Sequence, residues 1–425
     1  MAAAGAPAPA TVVVEAGRIA EVVPAERPVL PSPGDWDVEA DGRLVVPGAV
    51  DAHAHLACGA LARRSGLPGQ APAVLHAWRR ALHAAIEPRA DAEVVEALTA
   101  AGAAAALKAG VTCAFDLLRA RPGDAAASLA AAARGVEAVG LRAVLAYGAS
   151  ERAGAGEGLR EAAACAAFAE RQKDHPTVRG AGGLDGLDAA GDGLLDALGP
   201  IAARHGLLAS VAEDDTDLAA AYFRGALRPV DLLAARGLLG PRTVVAHGVT
   251  TVAEEGQRLA AAGATLAATP RAASFWGVPV PPMAELAAAG AAVALGTDGL
   301  FPDTACELVA TALFHRGQAR SPRAAEDLAG LVLWPSAARL AGRFFGATFG
   351  ELSPGAVADL VVLDWRPAVP PPAVPQGDLA LLWAGAPAAW AIVGGEVRLR
   401  EGRLLGVDEA ALAARARAAV ARLVA

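Results

Sequence analysis

The feature that most constrains the fold of this 425-residue chain is a regular alternation of short apolar runs with long segments rich in Ala, Leu and Arg. Strand-like runs that alternate with helix-like segments are typical of parallel βαβ units. Eight such runs spread over about 300 residues predict an α/β fold, a (β/α)8 TIM barrel. The runs lie at residues 45–56, 111–118, 142–147, 178–184, 207–213, 243–249, 264–269 and 292–299.

The two ends of the chain have a different pattern. Residues 11–23 (TVVVEAGRIAEVV) are typical of two strands joined by a Gly-Arg turn, and the segments 355–364 and 391–399 are also strand-like. Both ends are therefore expected to contribute to one small β domain beside the barrel. We predict a disordered tail at 1–10, a composite β domain from 11–48 and 350–425, and a barrel at 49–349.

Composition and charge exclude several classes of protein. Lys and Arg total 37 and Asp and Glu total 45, which gives a formal net charge of −8 and no basic footprint for nucleic acid. No strongly apolar run reaches the roughly 18 residues of a membrane span. The start lacks the basic region of a signal peptide, and the 4 Cys contain no CxxC pair. We therefore predict a cytoplasmic protein that binds a small molecule, with no nucleic-acid or membrane partner.

Two histidines, His53 and His55, stand at the end of the first strand-like run in PGAVDAHAHL. Side chains at positions i and i+2 of a strand point to the same side, so both imidazoles are expected to face the barrel mouth. Neutral imidazole is a common metal ligand, and barrel enzymes place their sites at the carboxyl ends of the strands. The pair therefore predicts a metal site at the mouth.

Three further polar residues end other strand-like runs: Glu213 in LLASVAEDD, His247 in TVVAHGV and Asp298 in VALGTDGL. Each has a simpler interpretation as well. Asp298 could cap the next helix, and Glu213 could be a solvated loop acid. Their recurrence at corresponding strand ends favours one shared site.

These motifs resemble the amidohydrolase superfamily, in particular the cytosine-deaminase/chlorohydrolase branch and its SsnA-type aminohydrolases. The order and spacing of the motifs match over nearly the whole chain. The resemblance implies a TIM barrel with a small β-sandwich domain made from both termini. The motifs are PGAVDAHAHL (47–56), GVT (110–112), GLRAVLAY (140–147), AED (212–214), AHGV (246–249), LGTDG (295–299) and LSPGAVADLVVLD (352–364).

The resemblance also implies roles for the five residues. His53, His55 and Asp298 match ligands of one divalent metal, with zinc expected first and iron or manganese as the alternatives. Glu213 matches a catalytic proton shuttle, and His247 matches a catalytic histidine that contacts the attacking water. In such a site the metal lowers the pKa of its bound water to about 7 and so supplies the nucleophile.

The chain departs from the family pattern on three strands. On strand five the ligand His of His-x-His-x-x-Glu is replaced by Ser210, and on strand four Asp185 stands in place of a substrate-facing His. On strand seven ATPRAA (268–273) replaces His-Asn-Pro-x-Ser-Asn. His247 could move onto the metal, or Asp185 or Asp214 could supply an oxygen. Otherwise the two His and one Asp make the three-ligand set of a catalytic zinc site.

The resemblance implies a metal-dependent hydrolase acting on carbon–nitrogen bonds other than peptide bonds, a deaminase or amidohydrolase of a small N-heterocyclic compound. The alternative is a degenerate, inactive barrel that serves as a scaffold or small-molecule binder. Phe275 and Trp276 could stack on a flat substrate or pack on the barrel, and Arg271 could pair with a substrate carboxylate or face solvent. Barrels of this branch are commonly dimers, so a homodimer is the expected assembly.

Overall fold

The computed structural model describes residues 8–32, 35–57, 86–211, 213–321, 323–324, 328, 333–366 and 384–424. Of the tail predicted at 1–10, residues 1–7 lie outside this set, and Ala10 already belongs to the first strand. Strands β1 (Ala10–Glu15) and β2 (Arg18–Pro24) pair as an antiparallel hairpin, and β3 (Val45–Pro47) follows. No described helix is long and apolar enough to cross a bilayer.

Parallel strands form the wall of the barrel in two arcs, with the orders β4-β5-β6-β7 and β8-β9-β10-β11-β12. Only Ala181 separates β7 from β8, so the two segments are one broken fourth strand, and an Ala149–Leu184 bridge ties it to the end of β6. The strands are β4 (Ala49–Ala54), β5 (Val111–Leu118), β6 (Arg142–Tyr147), β7 (Val178–Gly180), β8 (Gly182–Asp185), β9 (Leu207–Val211), β10 (Thr243–His247), β11 (Thr265–Ala268) and β12 (Ala292–Leu295).

Helices alternate with these strands and cover the outside of the wall. Because both faces of a parallel strand are covered, β5 and β6 are buried at every residue, as their unbroken apolar runs predict. The helices are α1 (Ala92–Lys108), α2 (Ala125–Val139), α3 (Glu157–Arg171), α4 (Asp192–His205), α5 (Asp215–Phe223), α6 (Pro229–Ala235), α7 (Ala253–Ala262), α8 (Pro270–Trp276), α9 (Met283–Ala288), α10 (Thr304–Ala319), α11 (Trp334–Phe345) and α12 (Glu409–Val424).

The barrel interior is a packed core. Val50, Phe115 and Leu208 from different strands belong to one buried cluster. Phe344 of α11 closes the end of the barrel opposite the strand ends, and its ring lies 5.3 Å from that of Phe115. The opposite end, to which the strands point, carries the candidate site residues His53, His247 and Asp298. The structure confirms the predicted α/β fold with its (β/α)8 barrel.

A second sheet combines both ends of the chain. It has the order β16-β15-β14-β13-β3, with β13 (Leu360–Leu363), β14 (Ala388–Val393), β15 (Glu396–Arg400) and β16 (Arg403–Leu404). The antiparallel pairing of β3 with β13 joins the N-terminal and C-terminal segments. The boundaries of the predicted β domain and barrel domain stay predictions.

Asp359, just before β13, fastens this sheet to the barrel. Its carboxylate accepts hydrogen bonds from Arg142 Nε at 3.0 Å, Arg142 Nη2 at 3.1 Å and Gly394 N at 2.6 Å. Its carbonyl oxygen accepts a hydrogen bond from Gly48 N at 2.8 Å, one residue before β4 begins. A buried, bidentate Arg–carboxylate pair fixes orientation as well as distance, so the first barrel strand starts from a fixed point.

Candidate metal centre

His53, His55 and Asp298 meet at the barrel mouth. One ligand atom from each lies within 4.8 Å of the other two. His53 Nε2 is 3.5 Å and His55 Nε2 is 3.3 Å from Asp298 Oδ1. Three residues predicted as metal ligands, from strands one and eight, therefore present a convergent set of two nitrogens and one oxygen.

The strand that carries the histidines is bulged. Between Asp51 and Ala54, β4 has one residue more than the matching part of β5. A bulge re-aims the side chains that follow it, and bulges are frequent beside active sites. His55 lies just beyond the end of β4, and its ring stands at 80° to that of His53 with 4.8 Å between centroids. The i, i+2 alternation predicted that the two rings point to the same side of the strand, but it did not predict the bulge.

A backbone carbonyl fixes the orientation of His55. His55 Nδ1 lies 2.5 Å from the carbonyl oxygen of Leu117, near the end of β5. Because a carbonyl oxygen only accepts, Nδ1 must carry a proton, which leaves Nε2, on the side of Asp298, as the nitrogen that could bind a metal. This is the outer hydrogen bond that metal-binding histidines usually make.

Asp298 is held close to strand one. Its backbone N–H donates to the carbonyl oxygen of His53 at 3.0 Å, and its φ of 55° lies in the left-handed region. Gly296 permits this approach, because a Cβ there would lie 2.7 Å from the His53 carbonyl oxygen. Asp298 Oδ1 is buried and accepts no hydrogen bond from the described residues. A buried carboxylate oxygen between two imidazoles fits a divalent cation.

The electrostatics keep Asp298 charged. Burial alone would raise the pKa of its carboxyl group, but His53 and His55 beside it and the nearby His247 hold that pKa well below its usual range. An ionised carboxylate is the form that binds a metal. The site residues therefore favour the ligating state of Asp298.

Asp51 supports both sides of this centre, although the sequence assigned it no role. Its Oδ1 accepts hydrogen bonds from His53 N at 3.3 Å and Thr297 N at 3.0 Å, and its Oδ2 accepts one from Thr297 Oγ1 at 2.5 Å. Burial raises the pKa of Asp51 to about 7, against the effect of these hydrogen bonds. The sequence signal that could have identified Asp51 is its place in the PGAVDAHAHL motif, two residues before His53.

His247 and Glu213 lie next to the triad. The His247 ring centroid is 5.0 Å from that of His53, and His247 Nε2 is 3.8 Å from Glu213 Oε2. His247 Nε2 also lies 3.1 Å from Ser210 Oγ, and His247 Nδ1 lies 3.2 Å from Thr269 Oγ1. The structure thus brings both predicted catalytic residues to the mouth, and it places Ser210 beside them at the end of strand five.

The three candidate replacements for the missing strand-five ligand have other contacts. The Asp185 carboxylate contacts the guanidinium groups of Arg119 and Arg152. Asp214 caps α5 by accepting a hydrogen bond from Thr216 N at 2.8 Å. His247 contacts the Ser210 hydroxyl. None of the three belongs to the cluster of potential ligands in the described residues, which contains only the triad of two His and Asp298.

The strand-seven region is organised by a buried ion pair. Arg271 Nε donates to Glu307 Oε1 at 2.6 Å, and its guanidinium lies 4.8 Å from the ring centroid of Phe301. Arg271 is therefore paired within the protein instead of simply facing solvent, and its pairing with a substrate carboxylate stays a prediction. Phe275 is 53% exposed, and its ring centroid lies 4.7 Å from that of Trp276. Whether this aromatic pair stacks on a substrate stays a prediction.

Comparison with known proteins agrees with this architecture. An 8-oxoguanine deaminase of Pseudomonas aeruginosa is 32% identical over 438 residues, covering 97% of this chain and 94% of the relative. A 5-methylthioadenosine/S-adenosylhomocysteine deaminase of Syntrophobacter fumaroxidans is 28% identical, covering 94% and 91%.

Solved structures share the fold. A zinc-bound adenosine deaminase of Xanthomonas campestris has a TM-score of 0.79 at 22% identity and covers 97% of this chain and 93% of its own. The zinc complex of atrazine chlorohydrolase TrzN from Arthrobacter aurescens has a TM-score of 0.80 at 21% identity, covering 97% and 95%.

The family profile described as "Amidohydrolase family" matches residues 44–397. This range contains all five predicted site residues and both arcs of the barrel. The match confirms the predicted superfamily, and with the relatives above it confirms the predicted class of enzyme, a hydrolase of carbon–nitrogen bonds outside peptides. The chain belongs to the amidohydrolase family.

Proposed function

We propose that this protein is a zinc-dependent deaminase that replaces an exocyclic amino group of a small N-heterocyclic compound with oxygen. The observation that carries the proposal is the convergence of His53 Nε2, His55 Nε2 and Asp298 Oδ1 within 4.8 Å at the barrel mouth. The names of the relatives, which are deaminases of an oxidised purine base and of adenine nucleosides, support the substrate class.

His53, His55 and Asp298 would hold the metal. Three protein ligands with an open position are typical of catalytic zinc, and the set here tolerates Ser210 in place of a fourth ligand. The metal, when bound, would supply Lewis acidity that makes water a nucleophile near neutral pH. Zinc suits a site of two imidazoles and one carboxylate, and iron and manganese are the alternatives that a metal analysis separates.

Glu213 would carry the proton. It is 7% exposed and lies at the mouth, with Oε2 3.8 Å from His247 Nε2. In the proposed reaction the oxygen of water bonds to the ring carbon that carries the amino group, and Glu213 accepts a proton from that water. Glu213 then protonates the nitrogen, the carbon–nitrogen bond breaks, and ammonia leaves.

His247 would stabilise the charge that develops on the attacking oxygen. Its backbone has a φ of 71°, at the last residue of β10, and its side chain is 3% exposed. A buried imidazole that is held in one orientation costs little reorganisation during the reaction, which is the basis of oxyanion stabilisation. His247 and Glu213 would thus have separate roles in the reaction.

Two measurements test the proposal. Plasma mass spectrometry of protein purified without chelator should find about one equivalent of zinc, lost in His53→Ala. Ammonia release should then be assayed on a panel of 8-oxoguanine, guanine, cytosine, 5-methylthioadenosine and aminotriazines. Glu213→Gln is the matched control, because it should keep the metal and lose turnover.

A protein that contains no metal and takes none up on reconstitution contradicts the proposal and favours a scaffold or binding role. The predicted cytoplasmic location and the predicted homodimer stay proposals, which cell fractionation and analytical ultracentrifugation would test.

A further inference from the structure

Hydroxyl groups from both neighbouring strands contact the His247 imidazole. Ser210, at the end of β9, places its Oγ 3.1 Å from Nε2. Thr269, just beyond β11, places its Oγ1 3.2 Å from Nδ1. Ser210 and Thr269 are 4% and 1% exposed, so water does not compete freely for these contacts. We call this arrangement, defined by Ser210, His247 and Thr269, the hydroxyl clamp.

The backbone at His247 is in a conformation that few side chains adopt. Its φ of 71° lies in the left-handed region, which a residue with a Cβ occupies only when its surroundings fix it. Such residues cluster at active sites, where the conformation positions a side chain. At His247 the hydroxyl clamp is the polar part of those surroundings.

The position of His247 has a consequence for the metal site. Its ring centroid is 5.0 Å from that of His53, almost the 4.8 Å that separates the two ligand rings. Even so, its nitrogens fall outside the ligand cluster. An imidazole this close to a three-ligand site competes for the open position unless another interaction retains it. Ser210 makes such an interaction from the strand-five position at which the family pattern has a ligand.

We propose that Ser210 and Thr269 are positioning residues that hold His247 beside Glu213 and keep it off the metal. The inference rests on the proposed function, because it concerns the same site. It gives the replacement of the strand-five ligand a chemical purpose. Ser210 lacks the ligand imidazole of the family pattern and, through the clamp, keeps His247 from taking the place of that imidazole on the metal.

Four single variants separate the clamp from a packing effect. Ser210→Ala and Thr269→Val remove one hydroxyl each and nearly keep the volume, whereas Ser210→Thr and Thr269→Ser retain the hydroxyl. Removing either hydroxyl should lower kcat about 10- to 100-fold, as for other outer contacts of metal sites, with KM changed less than about threefold. The hydroxyl-retaining variants should keep most of the activity.

Zinc affinity separates the clamp from a merely structural role. Loss of a structural contact would weaken zinc binding or leave it unchanged, whereas loss of the clamp should strengthen it. Competition with a chromophoric chelator should show zinc bound about tenfold more tightly by Ser210→Ala and Thr269→Val, because more of the protein then has a fourth imidazole ready to bind. Adding His247→Ala to either variant should abolish the gain. Unchanged or weaker zinc binding in both variants would overturn the proposal.

A further measurement keeps this inference distinct from the proposed function. If the wild-type protein binds no zinc and releases no ammonia, the proposed function fails. The clamp is then tested by the ¹⁵N chemical shifts of the His247 imidazole, which should change in Ser210→Ala and Thr269→Val and stay near wild type in the hydroxyl-retaining pair. Unchanged shifts in all four variants would contradict the clamp itself.

Discussion

Thr297 donates its side-chain hydroxyl to Asp51 at 2.5 Å, and through this contact the loop after strand eight is fixed to strand one. The bond lies between the elements that carry His53 and Asp298. Asp51 bonds the backbone N–H of His53, and Thr297 directly precedes Asp298. The separation of two candidate ligands thus depends on a buried carboxylate that is not itself a ligand.

We therefore expect Asp51→Asn to weaken zinc binding about 10- to 100-fold, the usual cost of losing an outer partner of a metal site. Thr297→Val, which removes only the hydroxyl, should have a smaller effect and lower the free energy of unfolding by about 1–3 kcal/mol. Chelator competition and urea unfolding measure the two quantities. Equal zinc affinity in Asp51→Asn and the wild type would show that the ligands are positioned without this bond.

Gly296 is expected to be essential because strands one and eight meet there. A Cβ at this position would lie 2.7 Å from the Cβ of His53, so Gly296→Ala must push the two strands apart. Zinc affinity should fall while the far-ultraviolet circular dichroism stays unchanged. Gly193→Ala, in the first turn of α4 with open space around it, is the control and should change stability by less than about 1 kcal/mol.

Asp185 is expected to stabilise the barrel without holding metal. Asp185→Asn removes one of the two carboxylates that contact the buried Arg119, and Glu87 remains as the other. The loss of stability should be smaller than the cost of about 3–5 kcal/mol for breaking a buried pair completely. The variant should therefore unfold at lower urea concentration and still contain one equivalent of zinc. Loss of zinc from a folded Asp185→Asn protein would instead identify Asp185 as a ligand.

Glu161 should make stability depend on pH. Burial raises the pKa of its carboxyl group to about 7, although the Ser150 N–H donates to it at 2.9 Å. Between the unfolded pKa near 4.5 and the folded pKa, the folded state binds the proton and the unfolded state does not. The free energy of unfolding contributed by this group therefore falls as pH rises through this window, by up to about 3 kcal/mol.

Glu161→Gln removes this titration and keeps an oxygen for the Ser150 N–H. Urea unfolding at pH 5 and pH 8 should show the variant losing less stability across the interval than the wild type. An identical loss in both proteins would place the titrating groups elsewhere.

Ser210→His tests the position of Ser210 directly. An imidazole at this strand-five position would restore the ligand of the family pattern, so zinc should bind at least about tenfold more tightly. Unchanged affinity would mean that position 210 does not face the metal.

The sequence predicted the parts that depend on order and periodicity. The apolar runs marked every barrel strand, and His53, His55, Glu213, His247 and Asp298 could be placed at the mouth because parallel strands end at one face. The contacts of Asp185, Arg271 and Ser210 depend on neighbours that are distant in the chain: Arg119, Glu307 and His247. A single sequence offers no signal for such pairs, and the bulge in β4 depends likewise on its match to β5.

The pairing of β3 with β13 sets an order of events during synthesis. Strand β4, which carries His53, is fastened at its start by Asp359 and follows β3, which pairs with β13 and with no other strand of the described residues. The ribosome makes the first barrel strand among the earliest elements, yet the segment that anchors it emerges after the whole barrel. A nascent chain shorter than about 360 residues has both histidines but lacks the anchor of their strand, so we expect tight metal binding only at a late stage of folding.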